Sequence, residues 1–385
     1  MNEVVILNAV RSPMGRSHKG SFIYTRIDDM GAQVMRGLLK KLPALDPNLI
    51  EDIIIGCAMP EGEQGLNVAR NLGFLAGLPL TCGAVTVNRF CASSLEAINM
   101  AAQSVMCGNG EAFLVGGIES MTHIPMGGFN PSLNEKLMKP DAPDAYIGMG
   151  ATAEILAKRY NVSREDQDKF ALMSHRKALS AMQQGKFDAE IIPIEAVMAD
   201  GSIKMINKDE GPRADTSLEA LSKLKPAFEE NGTVTAGNSS PLTDGAAMAI
   251  VASKSLAKKL KIKPMAKILA MAVAGVDPSI MGTGPVYAVP KALKRAGMKL
   301  KDIDLIELNE AFAAQSLTVI RELQMDMEKT NVHGGAVALG HPLGASGTRI
   351  MATLIHAMQD RNAKTGLATM CIGGGQAAAT IVERI

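Results

Sequence analysis

A run of short motifs in the first 120 residues returns, in the same order, near the end of the chain. Ile50-Glu51-Asp52-Ile53-Ile54-Ile55 comes back as Leu300-Lys301-Asp302-Ile303-Asp304-Leu305. Cys91-Ala92-Ser93-Ser94-Leu95 comes back as Gly344-Ala345-Ser346-Gly347-Thr348, and Leu114-Val115-Gly116-Gly117 as Cys371-Ile372-Gly373-Gly374. The offsets are all roughly 250 residues and drift slowly upward, as small loop insertions would produce. One such match is within reach of chance among turns of small residues. Three in one order indicate a duplicated unit. If two such halves pack about a pseudo-twofold axis, equivalent turns converge, and residues far apart in sequence can share one site.

Local patterns say what the unit is made of. Val4–Val10 is a short buried-type strand ended by Arg11-Ser12-Pro13, and Ile53–Ile55 and Leu114–Gly117 are two more. Leu95, Ile98, Ala102, Val105 and Met106 are spaced as one apolar helix face. Alternating strands and helices predict an α/β architecture with mainly parallel strands. Residues 120–243 break this rhythm with Pro125, Gly127, Gly128, Pro131, Pro140 and Pro143, then the helical runs Ala151–Tyr160 and Ser163–Gln184. Ser163 with Asp166 reads as the N-terminal cap of the second run. The expected division is 1–119 plus 244–265 as the first half, 120–243 as an inserted loop domain, and 266–385 as the second half. Insertions on such turns commonly build binding surfaces.

Bulk composition excludes several classes. A net charge of +1 offers no basic field for nucleic acid or an anionic membrane. No apolar stretch is long enough to span a bilayer, and Met1-Asn2-Glu3-Val4 does not open a signal peptide. The five cysteines include no Cys-x-x-Cys pair, which argues against a zinc or dithiol site and for the reduced cytoplasm. The 25 methionines are read first as adaptable core filling; a flexible apolar pocket for a chain-like substrate is the alternative.

Two of the cysteines stand apart. Cys91 precedes the helix containing Leu95 and Ile98, where the helix dipole is expected to lower its pKa, and Ala92, Ser93 and Ser94 leave its sulfur approachable. His341, between Gly340 and Pro342, sits in a glycine-rich loop and is a candidate acceptor for the thiol proton. Cys371 ends the apolar run Leu367–Met370 and opens Gly373-Gly374-Gly375, whose backbone amides can bind an oxyanion. A second thiol suits acid/base work on carbon. Asn309, after the strand-like Ile303–Leu308, either serves an oxyanion or caps a helix beginning at Glu310.

This combination resembles the thiolase family nearly end to end. The likeness is carried by Val87-Asn88-Arg89-Phe90-Cys91-Ala92-Ser93-Ser94, by Asn331-Val332-His333-Gly334-Gly335 through Gly340-His341-Pro342 to Ser346-Gly347, by Cys371-Ile372-Gly373-Gly374-Gly375, and by Asn309-Glu310-Ala311-Phe312. It is most like the degradative branch acting on 3-ketoacyl-CoA. The resemblance implies duplicated α/β halves in a five-layered core, an inserted loop domain, and a dimer or tetramer. It implies Cys91 as the acylated nucleophile, His341 as its activator, and Cys371 as acid/base at the second carbon of the substrate. It further implies one oxyanion site from Asn309, through a water, with His341, and another from the amides of Cys91 and Gly373. By the same likeness Arg213 lies near the nucleotide of CoA, Ser240 near the pantetheine, and Met149 and Met281 beside the acyl group. CoA enters as co-substrate, and no metal or redox cofactor is implied. A hydratase/dehydrogenase subunit of a fatty-acid oxidation complex is a further expected partner by analogy.

Departures bear on substrate. Gly148 stands where biosynthetic relatives often carry histidine, and His333 where many have asparagine; His333 is expected to support its turn and not to catalyse. The competing readings are condensation of two acetyl-CoA to acetoacetyl-CoA, a decarboxylating ketoacyl synthase, and a lipid-transfer or scaffold protein. The synthase would require histidine or asparagine where Cys371 stands, and the scaffold would lack reactive thiols.

Overall fold

In the computed structural model, which describes residues 2–385, the strands are β1 Val4–Arg11, β2 Gly15–Arg16, β3 Asp52–Gly56, β4 Gly83–Val87, β5 Ala112–Glu119 and β6 Ile194–Val197. They continue as β7 Ile203–Ile206, β8 Thr243–Ser253, β9 Ala266–Gly275, β10 Leu305–Leu308, β11 Thr365–Ile372 and β12 Gln376–Arg384. The helices are α1 Ile27–Lys40, α2 Val68–Ala76, α3 Ser93–Cys107, α4 Met149–Arg159, α5 Arg164–Gln183 and α6 Leu218–Ser222. Then come α7 Lys254–Lys259, α8 Gly284–Ala296, α9 Ala313–Leu323, α10 Ala336–Leu339 and α11 Ser346–Asp360.

The strand order is β10-β11-β12-β9-β1-β8-β5-β3-β4. It divides at β1 and β9, which pair only at Val5↔Lys267 and Ile6↔Ala266. On one side β3 runs parallel to β5, β8 antiparallel to β5, and β1 antiparallel to β8. On the other, β10, β11, β12 and β9 repeat those directions in the same order. The duplication read from short motifs is therefore a duplication of topology.

The expectation of mainly parallel strands needs correction: the sheet is mixed, and antiparallel pairs outnumber parallel ones. Parallel pairing arises where helices intervene, as between β3 and β4 or β10 and β11. The chain passes from β11 to β12 through Gly373-Gly374-Gly375 alone, and so short a link can only reverse direction.

The matched turns become matched helix entries. Phe90–Ala92 forms one 3-10 turn leading into α3, and Leu343–Ala345 forms one leading into α11. The two helices meet near their starts. Thr348 N donates to Ser94 Oγ at 2.9 Å and Thr348 Oγ1 to the Ser94 carbonyl at 3.2 Å. A Cβ on Gly347 would lie 2.2 Å from Leu95 N, so only glycine permits this approach. Leu95, Ile98 and Val105 of α3 share one core with Ile350, Leu354 and Met358 of α11 and with Val115 and Ile372 from the two sheet halves. Burying each leucine there contributes roughly 2 kcal/mol. A second core lies between the first sheet half and α1 and α2, a third between the other half and α8 and α9. The layers are thus helix, sheet, paired helices, sheet, helix.

Residues 120–243 carry α4, α5, the β6–β7 hairpin and α6. As predicted, Ser163 caps α5, its Oγ accepting from Asp166 N at 3.1 Å. A buried clasp fastens this segment to the first strand: Arg11 Nε meets Glu190 Oε1 at 2.6 Å and Nη1 meets Asp209 Oδ1 at 2.6 Å. Every charge in the clasp has an opposite charge in contact, which is the condition for tolerating it away from water.

Candidate active site

The convergence of α3 and α11 brings the Cys91 turn against the His341 loop. Cys91 sits in the 3-10 turn ahead of α3 and is 7% exposed. Its neighbour Phe90 has φ +44°, a left-handed conformation costly for a bulky residue. Side chains hold that turn. Phe90 N donates to Asn88 Oδ1 at 2.8 Å, and Ser93 Oγ donates to the Phe90 carbonyl at 2.6 Å while accepting from Arg89 N.

The thiol does not have the depressed pKa expected from the helix start. Burial pushes it up to about 11, opposed by hydrogen bonding to the backbone amides of Gly373 and of Cys91 itself, while the Glu119 carboxylate pushes it further up. Desolvating a thiolate costs more than a helix dipole returns. Cys91 is therefore a neutral thiol that needs a proton acceptor.

The surroundings of His341 hold it as a neutral base. Its backbone N donates to Thr243 Oγ1 at 3.1 Å, and the preceding Gly340 has φ +102° with the Thr243 side chain where a Cβ would stand. Ser346 Oγ donates to the Pro342 carbonyl at 2.8 Å, which commits its one proton. The ring Nδ1, 2.5 Å from that oxygen, must then be the donor. This network assigns the tautomer and leaves Nε2 bare, 3.3 Å from Asn309 Nδ2. Burial, with Arg349 nearby, lowers the imidazole to about 3. At neutral pH His341 holds no charge and offers a lone pair.

Asn309 does not cap a helix. The following helix starts at Ala313 with Phe312 as its cap, and the Asn309 amide turns to His341 with Oδ1 buried and free of any partner among the described residues. Cys371, opposite Ala377 at the end of β11, is 1% exposed, and burial with Cys91 nearby pushes its thiol well up. After it, Gly374 and Gly375 take φ +74° and +80°, the left-handed region only glycine enters freely.

One cavity of about 410 Å³ is lined by Cys91, His341, Cys371, Met149, Ser240 and Met281. Met121, Met126, Phe228 and Leu343 add to its apolar wall. A second hollow of about 170 Å³ shares Ser239 and Pro241 with the first and holds Arg213 and His175. Arg213 pairs with Asp215 at 3.2 Å, and its backbone N donates to His175 Nδ1. Burial and that arginine lower His175 to about 4. From Cys91 the path runs outward past Ser240 to Arg213, room for a long ligand with an anionic end. The other expected position, Gly373, aims its amide at Cys91 from outside the cavity lining.

Sequence reasoning missed several supports. The buried Glu119 accepts from Ala58 N and Gly344 N, each at 2.7 Å, and from Gln64 Nε2 at 2.6 Å, joining the first half to the His341 loop. A carboxylate ending the otherwise apolar β5 was its visible signal. Glu310 accepts from Ser174 Oγ at 2.6 Å and Asn331 Nδ2 at 2.8 Å, bracing the stretch after Asn309. Ser346 lay inside a quoted motif with no role assigned to it, and Thr243 carried no distinguishing pattern; the two orient His341. Among the described residues, no group of three or more His, Cys, Asp or Glu could hold a metal ion, and no helix is long and apolar enough to cross a membrane.

Two thiols and a neutral imidazole around one elongated apolar cavity make a constellation suited to covalent acyl transfer. The chain belongs to the thiolase family: the thiolase N-terminal domain matches residues 4–255 and the thiolase C-terminal domain residues 262–384. Over its full length it is 49% identical to a 3-ketoacyl-CoA thiolase of Idiomarina loihiensis and 51% identical to one of Aliivibrio fischeri, each also covered completely. A solved acetyl-CoA acetyltransferase of Bacillus anthracis superposes with a TM-score of 0.92 at 39% identity, covering 100% of this chain and 99% of that one.

Proposed function

We propose that this protein is a 3-ketoacyl-CoA thiolase, cleaving its substrate with CoA to acetyl-CoA and a shortened acyl-CoA. The observation that carries the reading is the shared cavity: Cys91, His341 and Cys371 line one chamber that leads to Arg213. His341 Nε2 takes the Cys91 proton as the sulfur attacks the 3-keto carbon. The amides of Cys91 and Gly373 receive the oxyanion formed there. As the carbon–carbon bond breaks, its electron pair passes to the thioester as an enolate. The His341 Nε2 proton and Asn309, through a water, stabilise it, and the Cys371 thiol protonates its carbon. Acetyl-CoA leaves. The Cys371 thiolate then takes the proton of an incoming CoA, whose sulfur attacks the acyl-Cys91 thioester. Cys91 leaves with the proton returned by His341.

The second reading is acetyl-CoA acetyltransferase, favoured by the solved relative. Against it stand the relatives of about 50% identity with the 3-ketoacyl name. Gly148 points the same way: it lines the cavity, and a Cβ there would meet nothing within 4 Å, so the missing side chain leaves space for acyl carbons. Thiolysis rates across 3-ketoacyl-CoA lengths decide: activity beyond the four-carbon substrate is expected, and activity confined to it sinks the degradative reading. In this reading the enzyme serves β-oxidation in the cytoplasm as a dimer or tetramer, using no cofactor besides CoA as co-substrate. Association with a hydratase/dehydrogenase subunit is tested by gel filtration of the mixed proteins.

A further inference from the structure

A further cavity, sharing no lining residue with the candidate active site, is used by none of the proposed chemistry. It has about 380 Å³ and is lined by Arg176, Lys177, Lys186, Arg361, His333 and Asp360. It sits where α5 and α11 end, against the turn Asn331–Gly335. Four basic side chains and the Asp360 carboxylate line it, with Glu190 close enough to act on His333.

Two of the cations are tied down: Lys186 meets Asp360 at 2.8 Å, and Lys177 donates to the carbonyls of Met327 and Thr330, each at 3.0 Å. Arg176 and Arg361 have no carboxylate partner among the described residues. A second observation points inward. His333 is 5% exposed and meets the edge of Phe187 at 5.9 Å, yet neither ring nitrogen has a hydrogen-bond partner among the described residues. Neither nitrogen is sealed off from solvent, so both stay free to bond an occupant of the cavity. Two unpaired, exposed guanidinium forks and an unpartnered imidazole lining one hollow offer the donors a tetrahedral dianion takes.

We propose that this cavity binds a phosphate group, either free phosphate or the end of a small phosphomonoester. The volume exceeds a bare phosphate and leaves room for a few attached carbons. An occupant would bear on the turn whose Asn331 braces Glu310 beside Asn309.

The test uses the full-length protein, at constant ionic strength, titrated separately with inorganic phosphate and with glycerol 3-phosphate. The ring signal of His333, assigned by its loss in His333→Asn, is followed against pH. Burial lowers that ring; Glu190 and Asp360 raise it, while Arg361 and Lys186 lower it further. A bound dianion should move its pKa upward by about one unit. Calorimetry should show saturable binding that weakens at least tenfold in Arg176→Gln/Arg361→Gln, a pair that does not line the candidate active site. Tighter binding of glycerol 3-phosphate would identify the phosphomonoester, and tighter binding of phosphate the free anion. Absence of saturable binding by both probes, or binding unchanged in the double variant, overturns the proposal.

Discussion

At the scale of single residues, the two cysteines look alike in sequence and differ in surroundings. Both thiols are raised by burial, so neither is a standing thiolate. Cys91 has the amides of Gly373 and its own backbone at its sulfur; Cys371 lacks that second amide and lies deeper. The proposed division of labour predicts distinct failures. Cys91→Ala should form no acyl-enzyme by mass spectrometry. Cys371→Ala should still acylate Cys91, but deuterium exchange into the methyl group of acetyl-CoA should fall by at least about a hundredfold, the usual worth of a positioned proton carrier. Normal exchange in that variant would remove Cys371 from its role. The sequence marked both residues by their glycine and serine settings. It misjudged the Cys91 thiol because a helix start is visible in sequence and the depth of burial is not.

The element that organises the site is a 3-10 turn running into a helix, used twice. Its two copies, into α3 and α11, meet through Ser94, Leu95, Gly347 and Thr348. Gly347→Ala places its Cβ against the rigid Leu95 backbone, so a loss of about 1–3 kcal/mol is expected in chemical denaturation. Gly148→Ala, whose Cβ meets open space, should change stability by less than about 0.5 kcal/mol. Equal losses in the two would show that the close approach is not what Gly347 provides. The helices themselves were legible, from the apolar spacing in α3 and the Ser163 cap of α5. Strand direction was not. Alternating strands and helices suggest crossovers everywhere, and a three-glycine hairpin hides among motifs that also look like phosphate or oxyanion loops.

For the whole molecule, the buried site sets a stability cost in acid. His341 falls from an ordinary 6.5 to about 3 in the folded state. A group depressed in this way favours the unfolded chain, which binds the proton first, as pH drops below 6.5. Its contribution is complete above that value and is lost progressively toward pH 3. Urea denaturation of the protein and of His341→Asn at pH 7.5 and pH 5 checks this. On moving to pH 5 the original should lose more stability than the variant, and an unchanged gap between them would contradict a neutral, buried His341. The duplication, the elements of each half, and the residues proposed to carry the chemistry were all present in the sequence, because backbone propensities, caps and apolar periods act over a few residues and leave a local record. The mixed sheet, the ionisation of Cys91 and His341, and the meeting of Glu119 with the Gly344 loop were decided by tertiary structure alone. Desolvation and hydrogen bonding there depend on which atoms lie within a few ångströms, and the fold chooses those from residues more than two hundred positions apart.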